Sequence, residues 1–338
     1  MEVNDMEYRE KSEDTVSYRT EYVDGFGRVI AARQAECKRI RESRNMFENT
    51  EEKRADFINM LGWPLTEKKP VAVEPEKIFL AKEDGMEIYR LRFEILPGLK
   101  FTGLFFKHTE DGVLPFAIAS HGGLGTPELM SGVYGFTDNY NDLLMRIFKE
   151  GVNVFAPQLL LWGSKNIGAP FDRKEIDAHL KQVGSSITAI EVYGIECAIS
   201  YFEKQSFVSK IGMAGLSYGG FYTLFTAAAD TRIKAALSCS FFNDRDKFSR
   251  PDWTWQNSAE KFFDAEVACL VYPRKLWIRI GDKDGIFVAD DGIKEFERLC
   301  GLCAGVGTDF VDFAVFDGTH EFVKDDKTVK DFCNELKK

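Results

Sequence analysis

The sequence predicts an α/β fold with a mostly parallel central sheet, helices on both of its faces and a helical extension in front. Three observations lead there. Short apolar runs recur at Phe116–Ser120, Val152–Ala156, Ile211–Ala214, Ala235–Ser240, Leu276–Ile280 and Phe310–Phe316, with helical segments between most of them; such runs read as strands buried on both faces, and their alternation with helices is the pattern of a parallel sheet. Residues 1–72 instead carry the three-and-four spacing of helices among many charges. A chain of 338 residues with 44% hydrophobic content is long and apolar enough for one large domain and an extension.

In chain order, Met1 to Thr20 is polar and acidic and has neither the apolar centre nor the cleavage pattern of a secretory signal. Ile30, Cys37, Ile40 and Phe47 then recur at helical spacing, and a second amphipathic piece with Phe57, Met60 and Leu61 is stopped by Gly62-Trp63-Pro64. This extension, residues 1–72, is expected to cover apolar surface of the main domain, residues 73–338, or to mediate self-association. Glu87–Leu96 and Phe101–Lys107 read as antiparallel strands near one sheet edge, joined by a Pro97-Gly98 turn. A single helix is expected from about Lys174 to Phe202, its stripe formed by Ile176, Leu180, Val183, Ile187, Ile190, Gly194, Cys197 and Tyr201.

Composition excludes several function classes. The net charge of −10 argues against nucleic acid, whose phosphates need a basic face. No segment has the long uncharged apolar run of a membrane span, so a cytoplasmic protein is expected. Seven cysteines without rhythm suit a reducing compartment. The pair Cys300 and Cys303 lacks the two further ligands zinc would need, and Asp282-Lys283-Asp284-Gly285 has its Gly misplaced for a calcium loop. No metal and no cofactor are expected.

The chemistry concentrates in Gly215-Leu216-Ser217-Tyr218-Gly219. An apolar strand-like run precedes it and a helix-like run, Phe221 to Ala229, follows; strand, tight turn with a central Ser, then helix is the context that lifts a hydroxyl above a sheet. A serine hydroxyl needs a base, usually His. Of the four histidines, His108 reads as solvated at a strand end and His179 as a helix-surface residue. His121 opens the Gly-rich turn His121-Gly122-Gly123 and reads as a brace, which leaves His320, in the loop after the last strand. The carboxylate that orients such a base is Asp284, just after the Leu276–Ile280 run, with Asp282 and Asp244 as alternatives. Negative charge on a tetrahedral intermediate needs fixed N–H donors. Tyr218 supplies one, and the turn after Ser120 the other, at Gly123, Leu124 or Gly122, with Gly123 preferred.

The chain resembles the α/β-hydrolases of the dienelactone hydrolase and acetyl xylan esterase-like group over roughly residues 73–338. The resemblance is carried by Ser120–Gly123, Ala156-Pro157, Gly215–Gly220, Asp230–Ala235, Tyr272–Leu276, Gly281–Asp284 and Gly318–Phe322, with Arg54–Leu65 similar to the helical lead-in of some bacterial members. It implies the α/β-hydrolase fold and a triad of Ser217, Asp284 and His320, in the chain order of that fold. Gln158 stands where relatives often have Asp. Dienelactone hydrolases proper use Cys as nucleophile, so Ser217 shifts the resemblance toward esterases acting on short-acyl esters, including acetylated sugars.

Aromatic residues in the loops around the triad suggest a substrate platform. Leu124, Trp162, Phe242 and Trp255 are the candidate binding residues; Met130, Tyr134, Phe136 and Tyr140 share the first of these loops, and Asp244, Arg245, Asp246 and Arg250 read as surface pairs. The expected partner is a small-molecule ester, with a homo-oligomer formed through the extension as a further expectation. The competing functions are a peptidase or amidase of the prolyl oligopeptidase type and a non-catalytic binding protein on the same fold.

Overall fold

The computed structural model describes residues 7–110, 112–135, 137–161 and 169–338. Nine strands form one sheet: β1 (Glu76–Glu83), β2 (Met86–Leu96), β3 (Leu99–His108), β4 (Leu114–Ser120), β5 (Asn153–Pro157), β6 (Val208–Leu216), β7 (Ile233–Cys239), β8 (Lys275–Gly281) and β9 (Val311–Phe316). Their order is β1-β2-β3-β5-β4-β6-β7-β8-β9. The first three pair antiparallel, as does β3 with β5, and the remaining pairs are parallel. Leu96 faces Leu99 across the Pro97-Gly98 turn, with Gly98 at φ 79°, a conformation that favours glycine.

Alternate residues of each strand feed the two faces. Phe105, Phe116, Ile118 and Phe155 join one core cluster, whereas Leu104, Phe106, Ala117, Ala119 and Val154 join the other. The helices are α1 (Val16–Glu42), α2 (Thr50–Leu61), α3 (Pro127–Ser131), α4 (Leu143–Lys149), α5 (Arg173–Gln182), α6 (Ile187–Phe202), α7 (Tyr218–Ala229), α8 (Ser258–Lys261), α9 (Asp264–Cys269), α10 (Ala289–Leu302) and α11 (Asp326–Lys337). Residues of α2, α6, α7, α9 and α10 lie in the first cluster, and those of α4 and α11 in the second. The architecture is the α/β-hydrolase type expected, with helices on both sides of a mostly parallel sheet.

The expected helix from Lys174 to Phe202 is two helices. Gly184 takes φ 76°, and the Ser186 hydroxyl accepts the Ala189 N–H to start α6 anew. Val183, placed in the stripe by spacing alone, is exposed. The break is where the preceding segment docks: Trp63 N–H donates to Gly184 O (3.0 Å), and the Ser186 hydroxyl donates to Leu61 O (2.8 Å). A side chain at Gly62 would collide with the Gly184 carbonyl.

α2 is part of the core. The Phe57 ring meets Phe225 and Phe262 at 5.3 and 5.5 Å. Arg54, also buried, donates to Ala228 O and Leu270 O, the carbonyls left over where α7 and α9 end. In α1 only Cys37 and Arg41 are buried, with the Arg41 guanidinium 3.7 Å from the centre of the Phe263 ring. Among the described residues all seven cysteines are free, and no helix is long and apolar enough to cross a membrane.

Candidate active site

The parallel strands β4, β6, β8 and β9 deliver their following loops to one edge of the sheet, where ligands bind in open α/β folds. Ser217 follows β6 directly at φ 59° and ψ −120°, outside the regions L-residues prefer. The turn is held by Ser217 N–H donating to Cys239 O on the neighbouring strand and by Phe221 N–H donating to Ser217 O, both at 2.9 Å. Its closeness demands the flanking glycines. A side chain at Gly215 would run into the Gly219 backbone, and one at Gly219 into the Ser120 carbonyl on β4.

Three residues past β8, Asp284 is buried and its two oxygens are separately committed. Oδ1 accepts the amides of Ile286 (2.8 Å) and Phe287 (2.9 Å), and Oδ2 meets His320 Nδ1 at 2.9 Å. Burial pushes this carboxyl up, but the His320 contact and the two amides outweigh it and hold it below the ordinary carboxylate range. With Nδ1–H donated to the carboxylate, His320 keeps Nε2 as its acceptor. The ring lies nearly parallel to Phe287, centroids 5.7 Å apart. Asp282 braces the turn instead, accepting the Gly318 N–H at 2.9 Å, and Asp244 accepts the Asp246 amide within its own loop.

Ser217 and His320 face the same cavity of about 400 Å³. No hydrogen bond joins them among the described residues. In ligand-free sites such bonds are often loose and tighten in the complex. The cavity is walled by Leu124, Tyr140, Trp253, Ile286 and Phe287, with Thr137, Asn139 and Arg250 as its polar contributors.

The turn after β4 is built around a neutral histidine. His121 is fully buried; its Nε2 accepts the Leu159 N–H (3.0 Å), so its Nδ1–H donates to Gly122 O (2.9 Å). Burial lowers its pKa to about 4. It is the brace the sequence suggested. Gly122 N–H donates to Tyr140 Oη (2.9 Å) and Gly125 N–H to Gly122 O (3.0 Å), while Gly123 N–H has no acceptor among the described residues. That removes Gly122 from the three candidate donors of this turn. Tyr218 is the first residue of α7, so its amide sits at a helix N-terminus, where backbone N–H groups favour negative charge.

Several expectations need correction. Phe242 and Trp255 do not line this cavity: Phe242 is wholly buried, and Trp255 stacks on Phe221 at 6.4 Å and lies 5.6 Å from Phe225 in the core. Their loop does contribute, but through Trp253 and Arg250. Arg245, read as a surface residue, is buried against Asp264 at 2.8 Å. His108 is half-buried, its ring stacked on Phe148 at 3.8 Å, rather than solvated. Leu124 does line the cavity, whereas Trp162 and Phe136 lie outside the described residues.

Sequence reasoning missed the buried hub behind the cavity. Arg173, at the start of α5, pairs with Asp252 (2.7 Å) and Glu191 (3.1 Å) and donates to Tyr222 Oη (2.8 Å). Asp252 accepts Tyr218 Oη–H at 2.9 Å, and the Tyr218 ring stacks on Trp253 at 5.0 Å. One guanidinium thus ties α5, α6, α7 and the Trp253 wall together. An arginine among Asp172, Lys174 and Glu175 looks like any surface charge, and only the fold reveals its burial.

The profile of the dienelactone hydrolase family matches residues 129–257. A Bacillus subtilis protein named as a hydrolase, YtaP, is 28% identical over 279 residues, covering 76% of this chain and 88% of its own. Among solved structures, the glucuronoyl esterase from Solibacter usitatus superposes with a TM-score of 0.62 at 14% identity, covering 86% of this chain and 93% of its own. Acetyl xylan esterase 1 from Thermoanaerobacterium sp. JW/SL YS485 gives 0.56 at 16%, covering 86% and 94%. The chain thus has the α/β-hydrolase type of fold, matches the dienelactone hydrolase family over residues 129–257 and is similar along most of its length to a bacterial hydrolase.

Proposed function

We propose that the protein is a serine carboxylesterase in which Ser217 attacks the ester carbonyl, His320 takes and returns the proton, and Asp284 orients the imidazole and stabilises its charged form. The observation that carries this reading is the Asp284–His320 pair opening onto the cavity that holds a hydroxyl on a strained turn. The N–H groups of Tyr218 and Gly123 are the donors for the tetrahedral oxyanion; one such donor contributes roughly 3–4 kcal/mol of barrier lowering. Collapse of the tetrahedral species expels the alcohol, which takes the proton from His320. Water, deprotonated by the same imidazole, then releases the acid from the acyl-serine.

A cavity of about 400 Å³ with aromatic walls fits a small ester rather than a long chain. The esterases acting on acetyl xylan and glucuronoyl esters among the structural neighbours direct attention to carbohydrate esters with short acyl groups. Turnover of p-nitrophenyl acetate, longer p-nitrophenyl esters and a peptide anilide tests the reading. The expected order is acetyl above longer acyl, with the anilide inert. Preferred cleavage of the anilide would favour the peptidase alternative, and a folded protein that cleaves none would favour the binding-protein alternative.

A further inference from the structure

α1 offers an apolar face that its own domain does not cover. Along residues 16–36 every side chain is exposed: Tyr18 and Tyr22 at 71%, Val29 at 68%, Val23 at 66%, Phe26 and Ile30 at 54%, and Val16 at 52%. At 100° per residue these seven fall on one half of the helix, within an arc of about 160° centred on Phe26. Cys37, Ile40 and Arg41 continue the same face about two to three turns later, and there it packs against the body, with Arg41 over Phe263 and Arg33 on Glu260 (2.6 Å). The buried seam of α1 therefore runs off the edge of the domain and stays mostly apolar, with the charges Arg19 and Arg33 within the arc.

A helix of this kind does not stand well alone. Gly25 and Gly27 sit in its outlying N-terminal half, each less favourable than alanine by about 1 kcal/mol, and most helical stability in proteins comes from packing an amphipathic face rather than from propensity. We propose that this face is a self-association surface, on which α1 of a second copy of the chain packs face to face.

Three features select a second copy over other occupants. At roughly 150–250 Å² per aromatic side chain and somewhat less per aliphatic one, scaled by their exposures of 52–71%, the seven residues supply on the order of 800 Å², the contribution each partner makes to a standard stable interface. A patch present on every copy is self-complementary about a twofold axis, the commonest symmetry of soluble oligomers. A lipid surface is disfavoured by charge: Arg19 and Arg28 are balanced by Glu21 and Asp24 in the same stretch, and the whole chain carries −10, so nothing draws this helix to anionic headgroups.

Sedimentation equilibrium of the full chain tests this. The wild type is expected to be a dimer in the micromolar range. Val23→Glu combined with Phe26→Glu should raise the dissociation constant about a hundredfold or more and leave ester turnover per chain unchanged. Ala31→Glu, on the opposite side of the helix, should leave the dimer intact. A wild-type monomer throughout that range would overturn the proposal. So would a dimer indifferent to the double substitution, a dimer equally sensitive to Ala31→Glu, or a monomer that co-sediments with phosphatidylserine vesicles.

Discussion

Ser217 holds a strained backbone at φ 59° because its turn is clamped between β4, β7 and α7, and that conformation aims its hydroxyl into the cavity. Asp284→Asn keeps the amide contacts at Oδ1 but loses the charge that fixes the His320 tautomer, so turnover should fall about 10³–10⁴-fold with the fold retained; steady-state kinetics beside a circular dichroism spectrum measure both. His121 makes a different prediction, in stability. Its folded-state pKa of about 4 lies below the unfolded value, so between roughly pH 6.5 and 4 the unfolded chain binds a proton that the folded one refuses. Stability is complete above that window and should decline by about 3 kcal/mol as pH falls through it. Urea unfolding across that range, compared with His121→Gln, reads the difference: the variant should lose less stability than the wild type between the two ends. At this scale the candidate positions Ser217, Asp284 and His320 were legible because each follows a recognisable strand in a local motif. Phe242 and Trp255 were not, because a loop aromatic that fills the core and one that lines a cavity look the same in sequence; the chain path put Trp253 and Arg250 at the wall instead.

Between elements, the hub at Arg173 decides how α5, α6, α7 and the Trp253 segment sit. Its charge is fully buried against Asp252 and Glu191, and burial pushes the Glu191 carboxyl up against the pull of the guanidinium. Arg173→Met would strand both acids without a counter-charge and should destabilise by about 3–5 kcal/mol, read as a lower urea midpoint. Tyr218→Phe removes the hydroxyl bond to Asp252 and keeps the Tyr218 amide. It should weaken stability by about 1 kcal/mol and raise KM more than it lowers kcat, because it loosens the wall at Trp253 and not the amide donor. Element positions were largely legible: all six apolar runs are strands of the parallel part of the sheet. The split between α5 and α6 was hidden, although Gly184-Ser185-Ser186 carries both a turn glycine and a capping serine. The helical spacing continued across the break and masked it.

For the whole molecule, the chain's order of strands is what brings distant residues to one edge. Positions 217, 284 and 320 belong to separate loops and reach one edge only because β6, β8 and β9 lie parallel in one half of the sheet. The alternation of apolar runs announced that sheet; its strand order could not be read from the runs, since β4 and β5 exchange places relative to the chain. Helical spacing likewise announced α1 and α2, but not that α2 enters the core while most of α1 stays outside it. The central claim, that this topology assembles a serine nucleophile, is tested most directly by treating the folded protein with a fluorophosphonate and locating the adduct by peptide mass spectrometry. A single stoichiometric adduct on Ser217 is expected, abolished by Ser217→Ala and slowed by His320→Ala. An adduct on another residue, or none on folded and stable protein, would contradict it.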